Sequence, residues 1–100
     1  MKYYQQGDIL IKPVKAIPKN AGKLSDNVLA RGEATGHAHV AWGVDALLYR
    51  SGERLYLNAP NGAEIKHEEH GPITVPRGTY LIEKVREYDH FVERPRTVVD

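Results

Sequence analysis

The stretch "WGVDALLYRSGERLYLNAPNGAEIKH" (residues 42–67) decides the fold. Apolar and polar residues alternate through "DALLYR", "ERLYLN" and "AEIKHE", the period of half-buried strands, and glycine-bearing turns separate the runs. Ser51-Gly52 has the form of a two-residue hairpin, and "PNG" (60–62) that of a three-residue loop with Gly62 in the left-handed position. "PRG" (76–78) repeats the second form, and Gly43-Val44 reads as another two-residue turn. These turns predict an antiparallel meander.

Turn positions set registers, and registers set faces. The Ser51-Gly52 turn predicts Leu48 opposite Leu55 and Ala46 opposite Leu57. The "PNG" loop predicts Leu57 opposite Ile65 and Leu55 opposite His67, and the Gly43-Val44 turn predicts His39 opposite Leu48. One face then collects Ala41, Ala46, Leu48, Leu55, Leu57 and Ile65, and with them His37, His39 and His67. The other face, with Tyr49, Arg54, Tyr56 and Lys66, is expected to be more solvated.

Around this meander, "GDILIKPV" (7–14) predicts a first strand that Pro13 stops or confines to an edge. "KAIPKNAGKLSDN" (15–27) predicts a long loop with solvated Lys15, Lys19 and Lys23, a candidate cover for a site. "VLARGEATGHAHVAW" (28–42) supplies a strand or two, and "PITV" and "TYLIEKVREY" supply the last ones. Trp42 and the tyrosines read as packing, with Tyr80 and Tyr88 able to lend hydroxyls to a site. His90 reads as surface, and the tail "ERPRTVVD" (93–100) adds a strand at most. The fold class is all-β: residues 1–100 as one small antiparallel barrel or a jelly-roll-like curled sheet.

Composition narrows the chemistry. Fourteen basic against thirteen acidic residues leave a net charge of +1, which argues against a duplex-DNA wrapper. There is no cysteine, hence no disulfide, thiolate nucleophile or Cys-type zinc site, and any metal must be held by imidazole and carboxylate. No apolar run approaches a membrane span, and a cytoplasmic protein without a membrane partner is expected. No nucleophile elbow, phosphate loop or dinucleotide fingerprint occurs.

Histidines carry the functional signal. In "TGHAHV" (35–40), His37 and His39 lie on one side of a strand about 6.6 Å apart, close enough for both rings to reach one ion at roughly 2.0–2.1 Å. They read equally as a surface or hydrogen-bonded pair. His67 is level with His39 in the predicted register but three strands away, about 14 Å across a flat sheet. A shared metal therefore requires the sheet to curl. In "HEEHGP" (67–72), His67 and His70 can share a side only if the chain turns within the motif, which Gly71-Pro72 favours. Glu68 and Glu69 read as ligands, a general base, or carboxylates that hold the imidazoles. Glu83, between Leu81 and Val85, is either at a sheet margin or a ligand or base.

The combination "GEATGHAH … HEEHGPITVPRGTYLIEKVREYD" resembles a family of small uncharacterised prokaryotic and phage proteins that begin with a "QGD"-type strand. A looser resemblance is to cupins, jelly-roll barrels that bind a metal through H-x-H, a glutamate and a later histidine. Gly32 and His37-x-His39 are similar to the first cupin motif with one intervening residue fewer, and "PRGTYL" to the second with Leu81 in place of its histidine. In such a barrel, His67 supplies the missing ligand from another strand.

Two expectations follow. One is a divalent metal (Zn, Mn, Ni or Fe) held by His37, His39, His67 and His70, with Glu69 or Glu83 as base in a metal-dependent hydrolysis. The other is a non-catalytic adaptor with structural histidines, contacting a protein or nucleic acid through the lysine loop or an exposed strand. The ligand, a small molecule or a macromolecule, is undefined by the sequence, and self-association is compatible with either.

Overall fold

Among the described residues, the period-two alternation is realised in ten strands and no helix. The computed structural model describes residues 2–32 and 35–85. Tyr88, His90 and the 93–100 tail lie outside the described residues. Six strands form one antiparallel sheet in the order β1 (Tyr4–Gln6), β2 (Ile9–Val14), β10 (Gly78–Lys84), β7 (Arg54–Ala59), β6 (Leu47–Ser51) and β3 (Gly22–Lys23). The other four form β4 (Val28–Arg31), β5 (Ala38–Trp42), β8 (Ala63–Lys66) and β9 (Ile73–Val75). The fold is all-β, a sandwich of two curled sheets rather than a closed barrel; β1, β3, β4 and β9 are edges.

Facing sides of the sheets supply the core. Ile11, Leu48, Leu57 and Ile65 are each 0% exposed. Full burial of such a side chain is worth about 1.5–3 kcal/mol. Across the large sheet, Tyr80 stands opposite Leu57 and Leu57 opposite Leu48; Ile82 is flanked by Ile11 and Leu55. Leu29, Ala41, Ala63, Ile65 and Val75 answer from the small sheet. The six apolar residues assigned to one face by alternation (Ala41, Ala46, Leu48, Leu55, Leu57 and Ile65) are all buried.

The pairing partners differ from the meander. Of the four predicted turns, only the one between β6 and β7 is a hairpin, centred on Gly52-Glu53, with Ser51 opposite Arg54 and Leu48 opposite Leu57. That is two residues from the predicted register, so every side chain keeps its face. At Gly43-Val44, Pro60-Asn61-Gly62 and Pro76-Arg77-Gly78 the chain leaves one sheet for the other. These are corners, not hairpins, so the expected pairs Leu57–Ile65, Leu55–His67 and His39–Leu48 do not form. Asn61 and the main chain show why the turn chemistry fits both uses: Gly62 N–H donates to Ala59 O at 3.1 Å, Gly62 has φ 80°, and Asn61 Nδ2 donates to Val44 O at 3.2 Å.

The N-terminal strand is a hairpin as well. Gly7-Asp8 is a two-residue turn with Gly7 at φ 57°, and Gln6 pairs with Ile9. Pro13 is accommodated because β1 pairs only as far as Ile11, leaving that flank of β2 an edge. Loop 15–27 contains β3, and Lys15, Lys19 and Lys23 are exposed, as expected. Trp42 corrects the packing expectation: it faces outward, 59% exposed, with Lys66 Nζ 5.3 Å from its ring centroid. Tyr56, placed on the more solvated side, is buried. Among the described residues no helix is long and apolar enough to cross a membrane.

Candidate metal centre

At one end of the sandwich the inward rows change from aliphatic to imidazole. Along β5 the row runs Ala41, His39 and, just ahead of the strand, His37; along β8 it runs Ile65 and, just past the strand, His67. Because Val40 pairs with Lys66, one step further sets His39 opposite His67. The two strands are direct neighbours, so no curl across three strands is needed, which corrects the sequence-based distance. The ring centroids of His39 and His67 are 4.3 Å apart.

The remaining rings join through local turns. Residues 67–70 bend, with the backbone N–H groups of Glu69 and His70 donating to His67 Nδ1 at 3.0 and 3.3 Å. This bend brings the His70 centroid to 4.7 Å from that of His67. His37 follows Gly36, whose φ of 76° suits glycine, and its N–H donates to Thr35 Oγ1 at 3.1 Å. Its centroid is 5.7 Å from that of His67. All four imidazoles line a cavity of about 160 Å³, together with Asp8, Glu69, Arg31 and Lys84.

Three consecutive residues of the β1–β2 hairpin build the floor. Gln6, 1% exposed, donates through Nε2 to Ile65 O and Gly71 O, both at 2.9 Å. Its Oε1 must then be the acceptor in the 2.8 Å contact with His39 Nδ1. His39 therefore carries a proton on Nδ1 and, when neutral, a lone pair on Nε2. Gly7 leaves room for His70: a Cβ there would stand 2.7 Å from His70 Nε2. Asp8 Oδ1 lies 3.6 Å from His39 Nε2. The role of Gln6, Gly7 and Asp8 was not read from the sequence; the "QGD" turn is its only trace there.

Electrostatics sharpen the arrangement. Burial first, then the neighbouring His67, lowers the His39 pKa from 6.5 to about 4, against the opposing pull of Asp8. At neutral pH the Nε2 lone pair thus faces a carboxylate, a repulsive pairing unless a cation lies between. His37 Nδ1 is buried without a hydrogen-bond partner, 3.4 Å from Glu69 Oε1. Glu68 accepts from Ala38 N–H at 2.9 Å, the leading cause that holds its carboxyl below the usual range. His37, His67 and Glu68 offer ligand atoms that all lie within 4.8 Å of one another.

Not every candidate arrives. Glu83 is exposed and pairs with Lys12 at 2.8 Å. It sits at the sheet margin, on the side of β10 opposite Ile82, and does not line the cavity. Tyr80 is in the core, its hydroxyl donating to Pro76 O. No residue of loop 15–27 lines the cavity.

A family described as Domain of unknown function (DUF8820) matches residues 5–85, most of the chain. The chain belongs to that family. The DUF8820 span takes in every residue that lines the cavity, from Asp8 to Lys84, and the Gln6 that orients His39. No curated protein and no solved structure matches this DUF8820 chain at a significant level.

Proposed function

We propose that this DUF8820 protein binds one divalent metal ion, of zinc, manganese, nickel or iron, in the four-imidazole cavity. The observation that carries this reading is His37, whose buried Nδ1 has no hydrogen-bond partner and which belongs with His67 and Glu68 to a group whose ligand atoms lie within 4.8 Å of one another. A buried polar atom without a partner costs roughly 1–3 kcal/mol, and an ion removes that cost. The His39 lone pair opposite Asp8 supports the same reading. His70 lines the same cavity. The likeness to cupins extends to the H-x-H pair and adds only the precedent of an imidazole-held metal.

Such an ion supplies Lewis-acid activation of water, so hydrolysis is the reaction class we assign. Three protein ligands leave a position free for substrate or water. Glu69, 67% exposed beside His37, is the carboxylate placed to take a proton. We place the protein in the cytoplasm on its cysteine-free composition.

One observation favours a second reading, a binding module with structural histidines. His67 Nδ1 already accepts two backbone N–H groups, which puts the proton of the neutral ring on Nε2. Coordination by either nitrogen of a neutral ring must give up those contacts. Added metal should then deprotect the Glu69 and His70 amides in hydrogen exchange. The experiment is metal analysis of untagged protein, with thermal midpoints before and after chelation. Stoichiometric metal that is lost in His37→Ala/His39→Ala supports the metal centre. Metal-free protein with an unchanged midpoint and unchanged amide protection supports the binding module.

A further inference from the structure

We propose that the open side of the cavity takes the phosphoryl group of a small phosphorylated ligand, between Arg31 and Lys84 and over the bound ion. This rests on the metal reading above. Arg31 ends β4 of the small sheet and Lys84 ends β10 of the large one, so the two cations reach the cavity from different sheets. Lys84 is tied to the floor, its Nζ 3.7 Å from Asp8 Oδ2, yet remains 60% exposed at the rim.

Charge favours an anion, and the number of its oxygens selects the class. The lining carries two acids, Asp8 and Glu69, and two cations, Arg31 and Lys84. Ligating imidazoles are neutral, so a divalent ion with Glu68 among its ligands leaves the loaded site with a net charge of about +1, which still favours an anion. A phosphate monoester is a dianion with three terminal oxygens, one each for ion, guanidinium and ammonium. A carboxylate has one charge and two oxygens and leaves one of the cations unused.

Size selects how much of the ligand enters. The cavity has a volume of about 160 Å³. Drug-sized ligands need about 300–1,000 Å³. An ion and one phosphoryl group fit; the rest of the ligand stays outside, and recognition is confined to the head.

The test loads the full chain with manganese, removes excess ion, and titrates it calorimetrically with inorganic phosphate, phenyl phosphate and acetate in about 0.15 M salt. Both phosphates should saturate at one per bound ion, with acetate at least about tenfold weaker. Arg31→Gln and Lys84→Gln should each weaken phosphate about fivefold or more while the metal content stays stoichiometric. Bound manganese without saturable phosphate binding overturns this inference alone, as does equal affinity for acetate or indifference to both substitutions. Failure of the chain to bind any divalent ion overturns the metal reading, and this inference with it.

Discussion

Replacing Gln6 by leucine removes three hydrogen bonds at nearly constant volume. Gln6 is 1% exposed and bonds Ile65 O, Gly71 O and His39 Nδ1 at 2.9, 2.9 and 2.8 Å. Gly71 is exposed, so its carbonyl recovers a water. The His39 Nδ1–H and Ile65 O are buried and recover nothing. At about 1–3 kcal/mol for each orphaned group, less the small apolar gain of leucine, Gln6→Leu should cost about 2–4 kcal/mol. Against a typical 5–15 kcal/mol for a domain, that is a large fraction, readable as a lower urea midpoint with unchanged slope. The same change frees the His39 ring to turn and to exchange tautomers. Partners behind a ligating histidine are typically worth about 10–100-fold in metal affinity, so zinc binding by calorimetry should weaken by that factor. A loss below about 1 kcal/mol with unchanged zinc affinity would refute the reasoning that Gln6 aims His39.

Other consequences can be read with the same tools. Gly7→Ala puts a Cβ 2.7 Å from His70 Nε2 at a φ of 57°; we expect about 1–2 kcal/mol of destabilisation and a displaced His70 ring resonance by NMR, and an undisturbed His70 would contradict the packing. In chelator-treated protein, acid should destabilise the fold through His39. Its folded pKa is lowered from 6.5 to about 4, so the unfolded chain takes up the proton first. The associated stability is present above pH 6.5, is lost as pH falls from there to 4, and amounts to about 3 kcal/mol at about 1.4 kcal/mol per tenfold change in proton affinity. Urea midpoints against pH should show this slope in the wild type and not in His39→Asn. Glu83→Gln breaks only the exposed pair with Lys12, so stability should change by less than about 1 kcal/mol and metal affinity not at all; a marked loss of metal would return Glu83 to the site.

The residues that share the core side were legible because alternation does not depend on which strand is the neighbour. Leu48 and Leu57 are inward whether the turn is centred on Ser51-Gly52 or Gly52-Glu53. Partners were not legible, because glycine-rich turns such as Pro60-Asn61-Gly62 serve a sheet-to-sheet corner as well as a hairpin. The convergence of His37, His39, His67 and His70 could be argued from spacing and the expected bend after His67, but with the wrong reason for the reach of His67. Gln6 and Asp8 carried no comparable signal. A glutamine beside a Gly-Asp turn reads as hairpin surface, and only the approach of β1 to the β8–β9 connection makes it the buried partner of His39. Glu83 was ambiguous for a simpler reason: a charge between apolar neighbours fits a sheet margin as well as a site, and it lies exposed at the margin, paired with Lys12.

The most direct measurement is anomalous X-ray scattering from crystals grown with zinc and collected on both sides of the zinc edge. A single anomalous peak should appear in the cavity, within roughly 2.0–2.2 Å of His37 Nδ1 and of at least two further donors among His39, His67, His70 and Glu68. Peaks confined to the molecular surface, with the four rings unchanged around an ion-free cavity, would contradict the metal centre.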